Sequence, residues 1–459
     1  MEDLLIRGGT VVTPDSAEPA DVWVSRGKIV SIDPPSGPDG GAAAREVVDA
    51  RGLLVLPGVI DAHVHFGLRS RNATTADDFA SGTRAAAMGG VTTVIDFADH
   101  LPGLTLSQCA ALRLEEAAPQ AAVDYTVHQN VTRVRPGIER QLSDLRESGI
   151  ASVKVFTTYR DAGYMLDPAD LAALFRAARS SQILVTVHAE DDAAISAARQ
   201  DLESSGRTAP QYHPWSRPAR AEAAAVQQVL GVACSAGGAV YFVHISTGRA
   251  ALEIIQARER GCAAYMETCP HYLLLGEDRY TGNHPGLYIM SPPLRTPLDR
   301  ATLWGAVLGG HVDVIATDHC AYTVAQKSQA TSCFDTLPGI PGVQALLPLL
   351  YTYGVCVGKL SLPDLARMLS SNPAKLFGLF PRKGEIAPGA DADIVLYDPA
   401  GTNVIRGEAL ASAAGYSPFD GMEVRGRVNR VFLRGTTVAH RGEFTGSPGR
   451  GEFARTAVT

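Results

Sequence analysis

Residues 152–190 read SVKVFTTYRDAGYMLDPADLAALFRAARSSQILVTVHAE. Two apolar runs rich in β-branched residues, SVKVFTTY and ILVTVHAE, flank PADLAALFRAARSS, whose alanines, leucines and arginines favour a helix. Strand, helix and strand within roughly 40 residues is the pattern of a parallel βαβ unit. The texture continues on both sides: VTTVIDFA, VDYTVHQNV, AVYFVHIS, CAAYMETCP and DVIATDHC are further strand runs, separated by Ala-rich helical stretches. Alternation over roughly 300 residues predicts one parallel sheet, and the size suits a (β/α)8 TIM-like barrel of about 250 residues plus insertions. A doubly wound open sheet is the alternative. Against it, the pairs Gly8-Gly9 and Gly89-Gly90 lack the remaining glycines of a dinucleotide-binding GxGxxG.

Before the barrel, LLIRGGTVV, DVWVSRGKIVSI and REVVDARGLLVL are short strand runs punctuated by Gly, Pro and Asp. GEIAPGADADIVLYDP and VNRVFLRGTTVAHRGEF repeat that texture near the other end. The expected organisation is a small β-sandwich domain built from residues 1–55 and 381–445, with the barrel over 56–380 inserted between them. The tail, GSPGRGEFARTAVT at 446–459, shows no core pattern and is expected to fray or to reach a neighbour.

Among the 459 residues no apolar run is long enough for a membrane span, and the formal net charge of −7 comes without a basic cluster. That argues against nucleic acid and anionic membranes as partners and points to a small molecule. The opening MEDLLIRGGTVV is acidic where a secretory signal is positive, so no export is expected and the cytoplasm is the default location. Seven cysteines, at 109, 234, 262, 269, 320, 333 and 356, lack the close pairing of a zinc finger or a disulfide framework and read as reduced, mostly core thiols.

The polar residues that end these strand runs carry the chemistry. Asp61-Ala62-His63-Val64-His65 follows LLVLPGVI, His188 follows ILVTV, His244 follows AVYFV, and Asp318 follows DVIAT. Barrel enzymes place catalytic groups at the C-terminal ends of their strands. Alternation along a strand puts His63 and His65 on one face with Val64 turned away, a two-nitrogen chelate. One such histidine alone is more often a hydrogen-bonded core residue; four of them with an aspartate, all at strand ends, point to metal. Imidazole and carboxylate suit Zn and also admit Mn, Co, Ni or Fe. The set exceeds what one catalytic zinc with an open position needs and suits two ions about 3.5–4 Å apart.

Two divalent ions bring more positive charge than Asp318 and a bridging hydroxide balance. Lys154 is the one charged residue on its strand run, and as an ammonium it would only repel metal. Carboxylated on its side-chain nitrogen by CO2, it becomes a carbamate with two oxygens able to bridge both ions; burial favours the neutral amine that CO2 attacks.

DAHVHF, SVKVFTTY, VTVHAE, YFVHIST, ETCPHYLLL, MSPPLR, ATDHC and SSNPAKLFGLFPRKGEIAPGADADIVLYDP, in this order, resemble the cyclic amidohydrolases of the amidohydrolase superfamily, most of all the hydantoinase/dihydropyrimidinase branch. The likeness runs from about Leu4 to about Phe444, and TTADDFASGTRAAAMGGVTTVIDFA is closer to hydantoinases than to dihydroorotases. The resemblance implies that His63, His65, carboxylated Lys154 and Asp318 hold one metal and His188 and His244 the other. It implies that Tyr159 hydrogen-bonds the carbonyl oxygen as it becomes an oxyanion and that Asp318 moves the proton. The reaction it implies is attack of a metal-bridging hydroxide on a cyclic amide or imide, opening a hydantoin or dihydropyrimidine ring to an N-carbamoyl amino acid, in a homotetramer or dimer.

Ring recognition in the family uses largely backbone groups near the serine of MSPPLR, here Ser291, and near an asparagine before a PG pair. The best register puts Pro338 at that asparagine, a departure that removes an N–H but keeps a carbonyl and weakens the assignment to hydantoin in particular. Gly67 stands where dihydroorotases carry a carboxylate-gripping arginine. Leu68, Arg69 and Arg71 fall on the loop that shapes the mouth of hydantoinase pockets. The arginines read either as solvated loop residues or as partners for a substrate with an acidic or polar arm. Allantoinase is the rival enzyme, and a non-catalytic dihydropyrimidinase-like scaffold the rival of another class. His100, His128 and His271 are expected in hydrogen-bonded structural roles, His319 in a structural or supporting one, and Cys269 and Cys320 in no nucleophilic one.

Overall fold

A computed structural model describes residues 2–36, 44–70 and 73–456 of the chain. The opening stretch folds as the βαβ unit its pattern predicts. Ser152–Phe156 and Leu184–His188 pair in parallel, Ser152 opposite Leu184 and Phe156 opposite His188. Between them, helix Pro168–Ser180 starts where the Asp167 side chain accepts the amide hydrogen of Asp170, with Pro168 preset for the first turn. It buries Leu171, Leu174, Phe175, Ala177 and Ala178 along one face.

Eight such strands follow one another around the sheet in sequence order: β1 (Val59–Asp61), β2 (Val91–Ala98), β3 (Asp124–Asn130), β4 (Ser152–Phe156), β5 (Leu184–His188), β6 (Val240–Phe242), β7 (Ala264–Thr268) and β8 (Val314–Ile315). All neighbours are parallel. The ring is nearly closed beyond the ends of β1 and β8, where Val64 bridges His319 and the His65 amide donates to the His319 carbonyl at 2.8 Å. Asp61 reinforces this seam by accepting from the Thr317 amide (3.0 Å) and hydroxyl (2.5 Å). The fold is therefore a TIM-like barrel and not an open doubly wound sheet. Ile60, Ile95, Leu184, Tyr241 and Val314 pack inside with Phe377, Leu379 and Ala454.

The strand runs from both chain ends join one nine-stranded sheet, in which Leu54–Pro57 lies antiparallel to Ile394–Tyr397. Its core takes Leu4, Ile6, Val22 and Val24 from one end and Ile394, Leu396 and Phe432 from the other. Lys383 ties this domain to the barrel base: its Nζ lies 2.7 Å from Asp124, 2.5 Å from Asp393 and 3.2 Å from Asp391, all buried. The three carboxylates could be mistaken for a cation site, but the ammonium fills it. Arg434 also pairs with Asp124, and Arg382 and Lys28 with Asp391, so Lys383→Met would strip the cation from Asp393 alone; it is expected to cost about 3 kcal/mol of stability, read as a fall in the denaturation midpoint.

Two expectations need correction. Residues 446–456 of the tail neither fray nor reach outward. The Ala454 amide donates to the Tyr125 carbonyl at 2.7 Å, the Thr456 amide to Gly149 at 3.0 Å, and Ala454 is fully buried against the barrel floor. The cysteines are not all thiols either. Cys234, near the end of helix Ala219–Ala236, is disulfide-bonded to Cys262 just before β7, with Cα atoms 5.4 Å apart. Consecutive helix and strand termini brought them together across 28 residues, a spacing without a local signature. Among the described residues, no helix is long and apolar enough to cross a membrane.

Candidate metal centre and active site

Every strand-end residue singled out in the sequence reaches the C-terminal mouth of the barrel. Nε2 of His63 and Nε2 of His65 each lie 3.2 Å from Oδ1 of Asp318, and Nδ1 of His188 lies 3.0 Å from Nε2 of His244. Metal bonds of about 2.0–2.1 Å at a tetrahedral angle separate ligand atoms by about 3.3 Å, so both groupings are spaced to share an ion. Ligand atoms of His63, His244 and Asp318 also fall within 4.8 Å of one another, which makes the groupings one cluster.

The backbone turns sharply to aim these side chains. His244 and Asp318 adopt φ values of 40° and 48°, and Tyr159 one of 64°, left-handed conformations that L-residues adopt at a cost. Each lies just beyond a short strand, where leaving extended geometry projects the side chain over the mouth.

Lys154, on β4, is 2% exposed, with its nitrogen 5.0 Å from the Phe97 ring and 5.3 Å from that of Phe156. Burial pulls its ammonium down to about 8, against the pull of Asp318 and Glu267. Burial also drives His63, His188 and His244 toward the neutral imidazole that can ligate metal. Burial alone would raise the Asp318 carboxyl, but His63 and His65 hold it well below the usual carboxylate range. Neutral imidazoles, an ionised carboxylate and a readily deprotonated lysine fit divalent metal.

Several functional groups escaped the sequence reading. Glu267 accepts from Nδ1 of His63 at 2.8 Å and from the Tyr241 hydroxyl at 2.8 Å, fixing the tautomer that leaves His63 Nε2 free. It is the penultimate residue of β7 and obeys the same strand-end rule as the histidines. Glu190 does the same for His188, accepting from its Nε2 at 2.7 Å. Glu190 also binds the partly buried Arg217 through Nε and Nη2, and Arg217 Nη2 donates to the Tyr159 hydroxyl at 3.3 Å. The Ser291 hydroxyl lies near the same phenol and favours its ionised form. Burial, with the Glu190 and Asp318 carboxylates, raises the phenol above its ordinary range, so Tyr159 keeps the proton that an oxyanion donor needs.

Ser291 and Pro338 line one cavity of about 70 Å³ together with Arg217, Ile289, Phe334 and Ile195. Leu68 and Arg69 lie on the loop beyond His65, where Arg69 is exposed in a two-residue pairing with Thr74; Arg71 lies outside the described residues. His319 is structural, bonded to Asp77 at 3.0 Å and to the Gly342 and Val343 amides. His128 is held by Ser152 and the Ala62 carbonyl, and His100 accepts from the Thr132 amide. His271 departs from expectation: its buried Nε2 has no hydrogen-bond partner among the described residues, since its ring packs against Tyr272 in a short apolar helix.

Residues 54–438 match the model of the amidohydrolase family. The chain belongs to that family. It is 37% identical to the D-phenylhydantoinase of Escherichia coli O1:K1 over 98% of both chains. Among solved structures, the amidohydrolase fold here superposes on a dihydropyrimidinase from Brevibacillus agri with a TM-score of 0.96 at 35% identity, covering 100% of this chain and 99% of that one. An L-hydantoinase (dihydropyrimidinase) from Arthrobacter aurescens gives 0.90 at 27%, with 99% of each chain covered.

Proposed function

We propose that the chain is a cyclic amidohydrolase of the hydantoinase type, opening a hydantoin or dihydropyrimidine ring at a C–N bond to give an N-carbamoyl amino acid. The observation that carries the reading is the cluster at the barrel mouth, two groupings of ligand atoms spaced to share ions beside a buried, easily deprotonated lysine. In this reading His63, His65, Lys154 and Asp318 hold one ion and His188 and His244 a second, with N6-carboxylated Lys154 serving both. Zinc suits the donors best, and Mn, Co or Ni would be tolerated. Bound metal supplies a nucleophile of hydroxide strength near neutral pH and polarises the scissile carbonyl.

The rest is the work of side chains. Tyr159 donates to the carbonyl oxygen as charge develops, with its own oxygen anchored by Arg217. Asp318 takes the proton of the attacking nucleophile and returns it to the departing ring nitrogen. Glu267 and Glu190 hold His63 and His188 in their ligating tautomers. Ser291 and Pro338 contact the ring, and Leu68 and Arg69 border the exocyclic substituent. Pro338, in place of an asparagine, weakens hydantoin in particular as the ring, and an allantoin-like ureide, whose polar arm the loop arginines would meet, is the second reading. All six ligand residues are retained, which disfavours a non-catalytic scaffold. A cytoplasmic homotetramer, or at least a dimer, is part of the same reading.

Purified protein loaded with Zn, Mn or Co should hold roughly two metal equivalents and open one or more of hydantoin, dihydrouracil, allantoin and simple cyclic imides. Protein that binds no metal and opens none of these rings would sink the reading. Comparing hydantoins with neutral and acidic 5-substituents then decides whether the loop arginines grip substrate.

A further inference from the structure

Two loop segments carry the ring contacts of the proposed function. Residues 289–292 and 338–340 meet through a backbone hydrogen bond from the Gly339 amide to the Ile289 carbonyl at 2.9 Å. The carbonyls around Ser291 are each taken by a buried side chain. Lys327, on the short helix Val324–Lys327, donates from Nζ to the carbonyls of Ile289 at 2.8 Å and Gly339 at 2.6 Å. Nε2 of His213 donates to the Met290 carbonyl at 2.7 Å, and the Tyr272 hydroxyl to the Pro292 carbonyl at 2.7 Å. Within 289–292, the Ser291 carbonyl alone has no protein donor among the described residues. Gly339 leaves no slack on the facing segment: a Cβ there would lie 2.2 Å from the Cys320 carbonyl oxygen.

Lys327 is 2% exposed, and both of its hydrogen-bond acceptors are backbone carbonyls. The other buried lysines have evident purposes, Lys383 amid three carboxylates and Lys154 at the metal cluster. Burying an amine without a counter-ion and freezing its long stem opposes folding. What this arrangement provides in return is a tie between two segments. Burial pulls the ammonium down to about 7, yet the neutral amine still carries two N–H groups for the two carbonyls, so the tie persists in either state.

We propose that Lys327 is a positioning residue for substrate, clamping the Ile289 and Gly339 peptides so that the free Ser291 carbonyl and the Pro338 carbonyl, met only by the Cys320 thiol at 3.9 Å, present a fixed pair of acceptors to ring N–H groups. The ligand class that follows is a ring with N–H donors, a cyclic ureide or imide. The inference rests on the ring-hydrolase reading above.

The test uses the zinc-loaded, full-length enzyme on whichever ring the unaltered protein opens. Lys327→Met should raise KM about tenfold while kcat stays within about threefold, because the ring contact exists before and during the reaction alike. Metal content should stay that of the unaltered protein. Lys327→Arg keeps N–H donors on a long stem, should show a smaller rise, and serves as the test variant if the methionine form does not fold. A KM that does not rise, or rises only together with metal loss, overturns the role of Lys327. Unaltered protein that opens no ring removes the reading and this inference with it.

Discussion

Lys154→Ala is expected to lose hydrolysis by on the order of a thousandfold or more in kcat/KM and to retain well under the metal content of the unaltered protein. The expectation follows from charge. Imidazoles bring none, and among the described residues Asp318 is the one carboxylate at the Nε2 atoms of His63 and His65, Glu267 being spent on Nδ1 of His63. Without a second anion, two divalent ions would face each other poorly balanced. Stability should move in a different direction from activity. In the metal-free protein the buried ammonium sits at about 8 against an ordinary 10.5, so the unfolded chain binds the extra proton more readily between those values. The resulting cost to the fold is fully present below about pH 8 and fades as pH rises toward 10.5. Removing the amine relieves that cost at neutral pH and partly offsets the cavity it leaves. A folded, inactive, metal-poor protein is therefore expected, and intact mass of the native unaltered protein should show one added CO2 that the alanine variant lacks. A variant that keeps its full metal complement and full turnover would end the carbamate account.

The candidate metal residues were legible because they sit on, or within four residues beyond the ends of, the most regular elements of the fold. A strand has period two and a barrel has one catalytic face, so a histidine ending an apolar run is placed by its sequence position alone. His188 and His244 needed nothing more. Arg217 lies on no strand; it follows the short helix His213–Ser216, and only the packing of that excursion over the mouth brings it to Glu190 and Tyr159. Glu267 was legible in principle, next to last on β7 as Asp318 follows β8, but a carboxylate that bonds a ligand gives no signal distinct from a solvated one. Cys234 with Cys262, and Ala454 against the barrel floor, depend on the meeting of chain segments with no periodic signature.

Tyr159→Phe is expected to lower kcat by about 10²–10³ while leaving metal content and KM nearly unchanged, since a donor aimed at developing charge acts chiefly in the transition state. The site supports that role from both sides of the phenol. The left-handed turn at φ 64° carries the side chain over the mouth, its ring centroid 5.2 Å from that of His188. Arg217 occupies a lone pair of the phenol oxygen, leaving the O–H to point elsewhere, and Glu190 fixes Arg217 through Nε and Nη2. Arg295 holds the Arg217 carbonyl at 2.5 Å, so the guanidinium cannot drift by moving its backbone. Because burial raises the phenol above its ordinary range, Tyr159 stays a donor throughout the neutral range, and an alkaline limb in the rate there must come from another group. Phenylalanine preserves the ring packing and deletes only the hydroxyl, so unchanged kcat would reduce Tyr159 to a packing residue. Arg217→Lys gives the complementary measurement. A single ammonium cannot hold Glu190 with two nitrogens and the phenol at once, so kcat should fall in the unaltered background and fall less where Tyr159 is already phenylalanine.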